Sequence, residues 1–286
     1  MREGTKFAVV GGDLRQRALA ELLQADGHET ARFALGEPGE ESLAQTLSGA
    51  QVLLLPLPAQ DGEGYANAPF SEKQLRLEEI LDKTPPDALV CAGRVSPRLR
   101  QLAGERGLAC IDYFDREELQ VQNALITAEG ALAILLEELP ITLHQARVLV
   151  LGCGRIGKLL SARLQALGAK VSVSARRYGD MAWIRAMGCR VLDTRRLAGQ
   201  LSGFDCLVNT VPARVLDAAL LAQLAPGCLC LDLASKPGGM DFSAASRLGL
   251  RAIWALSLPG KTAPVSAGAA LRDCVYHILE ERGAVG

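Results

Sequence analysis

Short apolar runs alternate with helical stretches along this chain, and the alternation stops once and then restarts. That order constrains the fold more than any other feature, because strand–helix–strand repeats close into parallel sheets with helices on both faces. The first series is "KFAVV", "HETARFAL", "QVLLLPL", "ALVCAG" and "LACIDYF". Helical segments fall between these runs at Leu14–Ala25, around Leu43–Leu47, near Glu72–Leu81 and near Pro97–Glu105. The second series is "RVLVLG", "KVSVSA", "CRVL", "CLVNTV", "CLCLDLA" and "RAIWAL". Its intervening helices are expected at Arg155–Leu167, near Asp180–Met187, Arg195–Leu201, Val215–Leu224 and Phe242–Leu248.

A long helix, Arg116–Leu139, separates the two series, with Leu125, Ala128, Leu132, Leu135 and Leu139 on one apolar face and Pro140 as its stop. The predicted fold class is therefore α/β, with two doubly wound parallel-sheet (Rossmann-like) domains around a cleft, joined by that helix. Residues 1–118 form the first, flavodoxin/Rossmann-like domain, which takes the substrate. Residues 119–140 form the connecting helix, and 141–265 the nucleotide-binding domain. "LPGKTAPVSAG" reads as a loop, and a final helix within 266–286 is expected to pack back onto the first domain.

Of the 286 residues, 49% are hydrophobic and 22% charged, as in ordinary globular proteins, and 31 basic against 32 acidic residues leave a net charge of −1. Such a balance lacks the basic footprint of a nucleic-acid binder. The apolar runs are shorter than the ~20 residues that span a bilayer, and no apolar signal core follows "MREGTK". The expected location is cytoplasmic. The eight cysteines contain no C-x-x-C pair and have no histidine cluster nearby, so buried, reduced thiols are expected and no metal site.

"GCGRIG" is Gly152-x-Gly154-x-x-Gly157, directly after an apolar strand and directly before a helix. The first glycine permits a tight turn, the second lets backbone approach a pyrophosphate, and the third allows close helix–strand packing. Arg155 and Ile156 complete the turn at a helix start that offers free N–H groups to phosphates. The next strand ends in Ser174, Arg176 and Arg177, where NAD-binding proteins carry an acid for the ribose hydroxyls. Arginines there fit the 2′-phosphate of NADP through charge-assisted bonds. The cofactor expected is NADP, with NAD possible. Both arginines also read as ordinary solvated charges. Further along, Asn209, Thr210, Val211 and Pro212 close one strand, and Asp232, Ala234, Ser235 and Lys236 follow another. These are strand ends where open α/β sheets bind ligands, and Asp232 also reads as a loop cap.

"GGDLRQ" at 11–16, "NALITAEGA" at 123–131, "GCGRIG", "NTVP" at 209–212, "LDLASKPGGMDF" at 231–242 and "LPGKTAPVSAG" at 258–268 occur in order through nearly the whole chain. Together they resemble the family of the dipicolinate synthase A subunit. The resemblance implies NAD(P)-dependent oxidation of a dihydrodipicolinate to dipicolinate (pyridine-2,6-dicarboxylate), a product stored as its calcium chelate during sporulation. It also implies a flavoprotein-like partner, the synthase's B subunit; a homo-oligomer is expected as well. More widely the chain is similar to D-2-hydroxyacid dehydrogenases and adenosylhomocysteinases. It departs from the former because "LPGKTAPVSAG" lacks their catalytic histidine. Its three histidines, His28, His144 and His277, lie away from the predicted strand ends.

A reaction that makes an aromatic ring supplies its own driving force, so the protein must chiefly orient the ring and compensate two carboxylates. The "GGD" turn, Gly12 and Asp13, is expected to bind one carboxylate through backbone N–H groups, with Arg15 as a bidentate clamp. Asn123, Thr127 and Ser235 are candidates for the ring or the second carboxylate. Lys236 supplies charge and Glu129 is the candidate proton acceptor, although a helix glutamate is more often simply solvated. Arg94 and Lys261 rank lower. Two alternatives stay open: an NADP-dependent reductase or dehydrogenase of another small carboxylate, and a non-catalytic NADP-binding partner subunit.

Overall fold

Strands buried on both faces need continuous apolar side chains, and this chain supplies them. In the computed structural model, which describes residues 4–36, 39, 41–62 and 64–283, every strand of both sheets pairs in parallel. The chain divides into two compact units, Met1–Asn123 with Pro259–Gly286, and Ala124–Leu258. The boundary falls within one helix rather than on either side of a separate linker.

The first unit runs β1 (Lys6–Val10), α1 (Leu14–Ala25), β2 (Glu29–Phe33), α2 (Leu43–Leu47) and β3 (Val52–Leu54). It continues through α3 (Leu77–Asp82), β4 (Leu89–Ala92), α4 (Pro97–Glu105) and β5 (Ala109–Asp112). The sheet order is β2-β1-β3-β4-β5. Ala8, Val10, Leu53 and Val90 face one core, while Phe7, Val9, Leu54 and Cys91 face the other. The long helix α5 (Glu117–Glu138) begins in this unit and ends in the second.

In the second unit β6 (Arg147–Leu151), α6 (Arg155–Ala166), β7 (Lys170–Ala175), α7 (Tyr178–Ala186) and β8 (Arg190–Asp193) form one half. The other half is β9 (Cys206–Asn209), α8 (Ala218–Leu221), β10 (Leu229–Asp232), α9 (Phe242–Arg247) and β11 (Arg251–Trp254). The order β11-β10-β9-β6-β7-β8 reverses direction at β6 and β9. That is the dinucleotide-binding order, with its switch point between the first and fourth strands. Ala128, Ala131, Leu135 and Leu139 pack with Val148, Val150 and Val173 in this unit's core. By length and apolarity α5 is sufficient to cross a bilayer, which a run-by-run reading of the sequence misses.

The chain then returns to the first unit through α10 (Leu258–Thr262) and α11 (Pro264–Glu281). Leu271, Cys274, Val275 and Ile278 enter the same core as Leu19 and Leu23 of α1. Residues 284–286 of the expected final helix lie outside the described residues.

Three local expectations need correction. The helix expected from Glu72 begins only at Leu77, because Ala66 N–H bonds Leu75 O (2.8 Å) and Tyr65 bridges Arg76, which holds the preceding residues extended. The helix expected at Arg195–Leu201 is a single 3-10 turn, Thr194–Arg196, and left-handed Gly199 follows at φ +78°. "LPGKTAPVSAG" is not a loop, since it contains α10 and the start of α11.

Candidate nucleotide-binding site

The glycine turn lies where the sheet order of the second unit reverses. Gly152 has φ +99°, a left-handed conformation that side chains rarely adopt. A Cβ on Gly152 would lie 2.5 Å from Thr210 Oγ1 and 2.9 Å from Val211 Cγ2. A Cβ on Gly157 would collide with Gly152 O. Gly154, by contrast, faces open space and makes no side-chain cap at the start of α6. The three glycines therefore have three separate reasons: turn, access and close packing. Arg155 is exposed but engaged within the chain, and Ile156 is half-buried.

Thr210 fixes the opposite wall. Its Oγ1 donates to Leu151 O at 2.8 Å, and its N–H bonds the same carbonyl at 2.9 Å. Val211 lies over Gly152, and Pro212 beyond it is exposed.

Arg176 and Arg177 follow β7 as exposed side chains with no ion pair among the described residues. Arg177 opens α7, a helix that lacks a side-chain cap. Beside them lies a group that the sequence did not point to. Tyr178 is 78% exposed, and the Arg195 guanidinium sits 5.7 Å from its ring centroid. Arg195 is oriented by Asp193, with Nε to Oδ1 at 2.9 Å and Nη2 to Oδ2 at 2.8 Å. Those bonds hold the Asp193 carboxyl down at about 2. Asp193 pairs with Ala175 in the β7–β8 register, which places Arg195 at the end of β7. The helix expected across Arg195 concealed this.

Several predicted residues have other work. Ser174 is fully buried, and its hydroxyl accepts from Thr194 Oγ1 at 2.9 Å, so it supports the sheet rather than lining a phosphate pocket. Asn209 and Asp232 are both fully buried and bond each other at 2.7 Å. Asp232 also accepts from the N–H groups of Ala234 (2.9 Å) and Gly239 (2.8 Å), and Asn209 holds Val211 through both its N–H and its carbonyl. The pair fastens two loops together. Ala234 has both backbone groups used, since its carbonyl accepts from Trp254 Nε1 at 2.8 Å. Ser235 is half-buried and Lys236 exposed, without an ion pair among the described residues.

The "GGD" turn of the first unit is closed in the same way. Gly11 N–H bonds Phe33 O (2.9 Å) and Gly12 N–H bonds Asn67 O (2.8 Å), so neither is available to a carboxylate. Asp13 caps α1 with its own carboxylate, which accepts from Arg15 N–H at 3.0 Å. Arg15 Nε and Nη2 form the fork to Asp13, each at 2.9 Å, and Nη2 also donates to Leu57 O at 2.6 Å. The expected bidentate clamp is occupied by the chain's own aspartate. Gly260 packs directly against that carboxylate, where a Cβ would lie 2.5 Å from Oδ2.

On α5, Asn123 is half-buried and Thr127 buried, and each is engaged within the chain. Glu129 is exposed and paired with Arg163 at 3.3 Å, so it sits in water rather than in a pocket that would make it a base. Seven of the eight cysteines are buried, Cys110 is half-buried, and none is paired.

Residues 6–114 match the family model described as the N-terminal domain of the dipicolinate synthase A subunit. The chain is 32% identical over 295 residues to the dipicolinate synthase A subunit of Bacillus subtilis (strain 168), covering 98% of both. It superposes on the crystal structure of the dipicolinate synthase A subunit from Bacillus halodurans with TM-score 0.86 and 31% identity, covering 98% of this chain and 99% of that one. The crystal structure of the same synthase component from Bacillus subtilis gives TM-score 0.86 and 30% identity, with 99% and 98% covered. With likeness along nearly its whole length at 30% identity or more, the chain belongs to the family of the dipicolinate synthase A subunit.

Proposed function

We propose that this chain is an NADP-dependent oxidoreductase that converts a dihydrodipicolinate to dipicolinate in the cytoplasm. The observation that carries the cofactor is the open glycine turn with two unpaired arginines at the end of the neighbouring strand. When bound, NADP⁺ accepts a hydride from the dihydropyridine ring, which loses a proton and becomes aromatic. The chain's own part is to bind and orient. The turn at Gly152–Gly157 and the uncapped start of α6 receive the pyrophosphate. Arg176 and Arg177, with Arg195 beside them, compensate the 2′-phosphate.

For the substrate, Lys236 and Ser235 offer a cation and a hydroxyl from the loop after β10. In the first unit Arg15 retains its Nη1 edge, and Asn123 and Thr127 are polar positions on α5. A proton released on aromatisation goes to water, because the site assigns no better base than the solvated Glu129. The free cysteines suit a reducing compartment. Membership of a family named for one component of a synthase supports a second chain, the B subunit, in the role of partner, and a role in sporulation follows from the product.

Purified protein is incubated with NADP⁺ and freshly made 4-hydroxytetrahydrodipicolinate, with and without the flavoprotein partner, while nicotinamide reduction and product absorbance are followed. Reduction of NADP⁺ in step with product supports the reading. No turnover under either condition overturns it. Product without nicotinamide reduction favours a nucleotide-binding protein that serves a catalytic partner.

A further inference from the structure

The second unit also has a cavity at the end of its sheet remote from the glycine turn. It has a volume of about 640 Å³, within the range of small-molecule sites. It exists because the connection from β8 to β9 holds only the 3-10 turn Thr194–Arg196, where a full helix would cover the sheet. The uncovered floor is made by the first residues of three strands. Arg147 pairs in register with Lys170, and Arg190 pairs with Ser172. Lys170 and Ser172 are two apart on β7, so all four side chains leave the same face of the sheet.

The lining is strongly one-sided in charge. Its cations are Arg147, Lys170 and Arg190, and no carboxylate among the described residues lines it, in a chain whose charges otherwise nearly balance. Arg147 leans on Asp205 at 3.3 Å, whereas Lys170 and Arg190 have no ion pair among the described residues. Ser172 is 5% exposed and lines the cavity, and its side chain makes no hydrogen bond among the described residues, which leaves the hydroxyl open to solvent. Cations set in a recess concentrate a positive potential there. At 3.3 Å per residue, Lys170 lies about 17 Å along β7 from Ala175, so this recess is separate from the arginines beyond that strand.

We propose that this cavity is a second binding site, for a small polyanion whose carboxylate or phosphate oxygens are held by Arg147, Lys170 and Arg190, with the Ser172 hydroxyl as donor. The site does not depend on the NADP reading. Calorimetric titration of the full chain at low salt with citrate and, separately, inorganic pyrophosphate tests it, against the K170E/R190E variant. Both substituted residues are exposed, and an unchanged thermal midpoint shows that the variant is folded. K170Q and R190Q replace it if it is not. The expected result is a saturable site that weakens at least tenfold in the variant. Citrate alone marks a polycarboxylate ligand, pyrophosphate alone a phosphate ester, and either supports the site. Absence of saturable binding by both probes overturns it, as does binding that the variant retains undiminished, which belongs to the glycine turn.

Discussion

At the scale of single residues, a side chain's function depends on what it has left to give after folding. Arg176 and Arg177 have all their donors left, and Arg15 has spent most of its own on Asp13 and Leu57. Replacing Arg176 and Arg177 with alanine is therefore expected to weaken NADP⁺ binding by at least about 10- to 100-fold, the loss of a single charged hydrogen bond of about 1.5–3 kcal/mol. NAD⁺ should change by no more than about threefold. Equal losses in titrations with the two cofactors would remove the arginines from the 2′-phosphate.

His28 presents the opposite case. It is buried between Phe7 and Tyr276, with neither ring nitrogen hydrogen-bonded among the described residues. Burial lowers its pKa below 6.5, although nearby Asp26 works against that shift. The unfolded chain then binds the proton more readily, so stability is complete above pH 6.5 and declines as pH falls below it. Unfolding free energies from urea titrations should drop between pH 7 and pH 5, by at most about 1.4 kcal/mol per pH unit from this group. H28F should flatten that part of the profile; an unchanged slope would place the effect elsewhere.

Among elements, the glycine turn gives the sharpest separation of binding from stability. G154A introduces a methyl into open space at φ −78°, so the fold should lose no more than about 1 kcal/mol while NADP⁺ binding falls roughly tenfold. G157A instead drives a methyl into Gly152 O, and both stability and binding should fail. Thermal midpoints beside binding isotherms distinguish the two, and a G154A protein that binds normally would show that the second glycine is not next to phosphate.

The same contrast explains what the sequence made legible. Strand–turn–helix at Gly152 is local, and parallel strands are apolar runs, so both could be read directly. Ser174 with Thr194 and Asn209 with Asp232 are 20 and 23 residues apart, and only sheet register brings them together. Arg15 misleads for a related reason. Its partner is two residues away, but whether Asp13 would cap α1 or leave its N–H groups to a ligand depends on Asn67 and Leu57 closing over the turn. The missing helix after β8 was equally illegible. Leu197 and Leu201 have helical spacing, and both are buried without one.

For the whole molecule, the last helix completes the first unit. A Cβ on Gly268 would lie 2.8 Å from both Ala18 Cβ and Leu19 N, so α11 rests directly on α1. G268A should overpack that contact at about 1–3 kcal/mol. Hydrogen exchange should quicken in α1 and α11 and stay unchanged in α6 and β7. Uniform acceleration would mean that the two units do not unfold separately.

That closing helix also sets an order of manufacture. Ala124–Leu258 is one uninterrupted stretch and leaves the ribosome with all its own strands. The five strands made before it must wait, with the core that holds Leu19 and Leu23 incomplete, until residues 264–281 emerge. The half made first is thus the half finished last, and a ribosome that stalls before residues 264–281 are made would yield a chain whose second unit is intact and whose N-terminal core stands open to proteases.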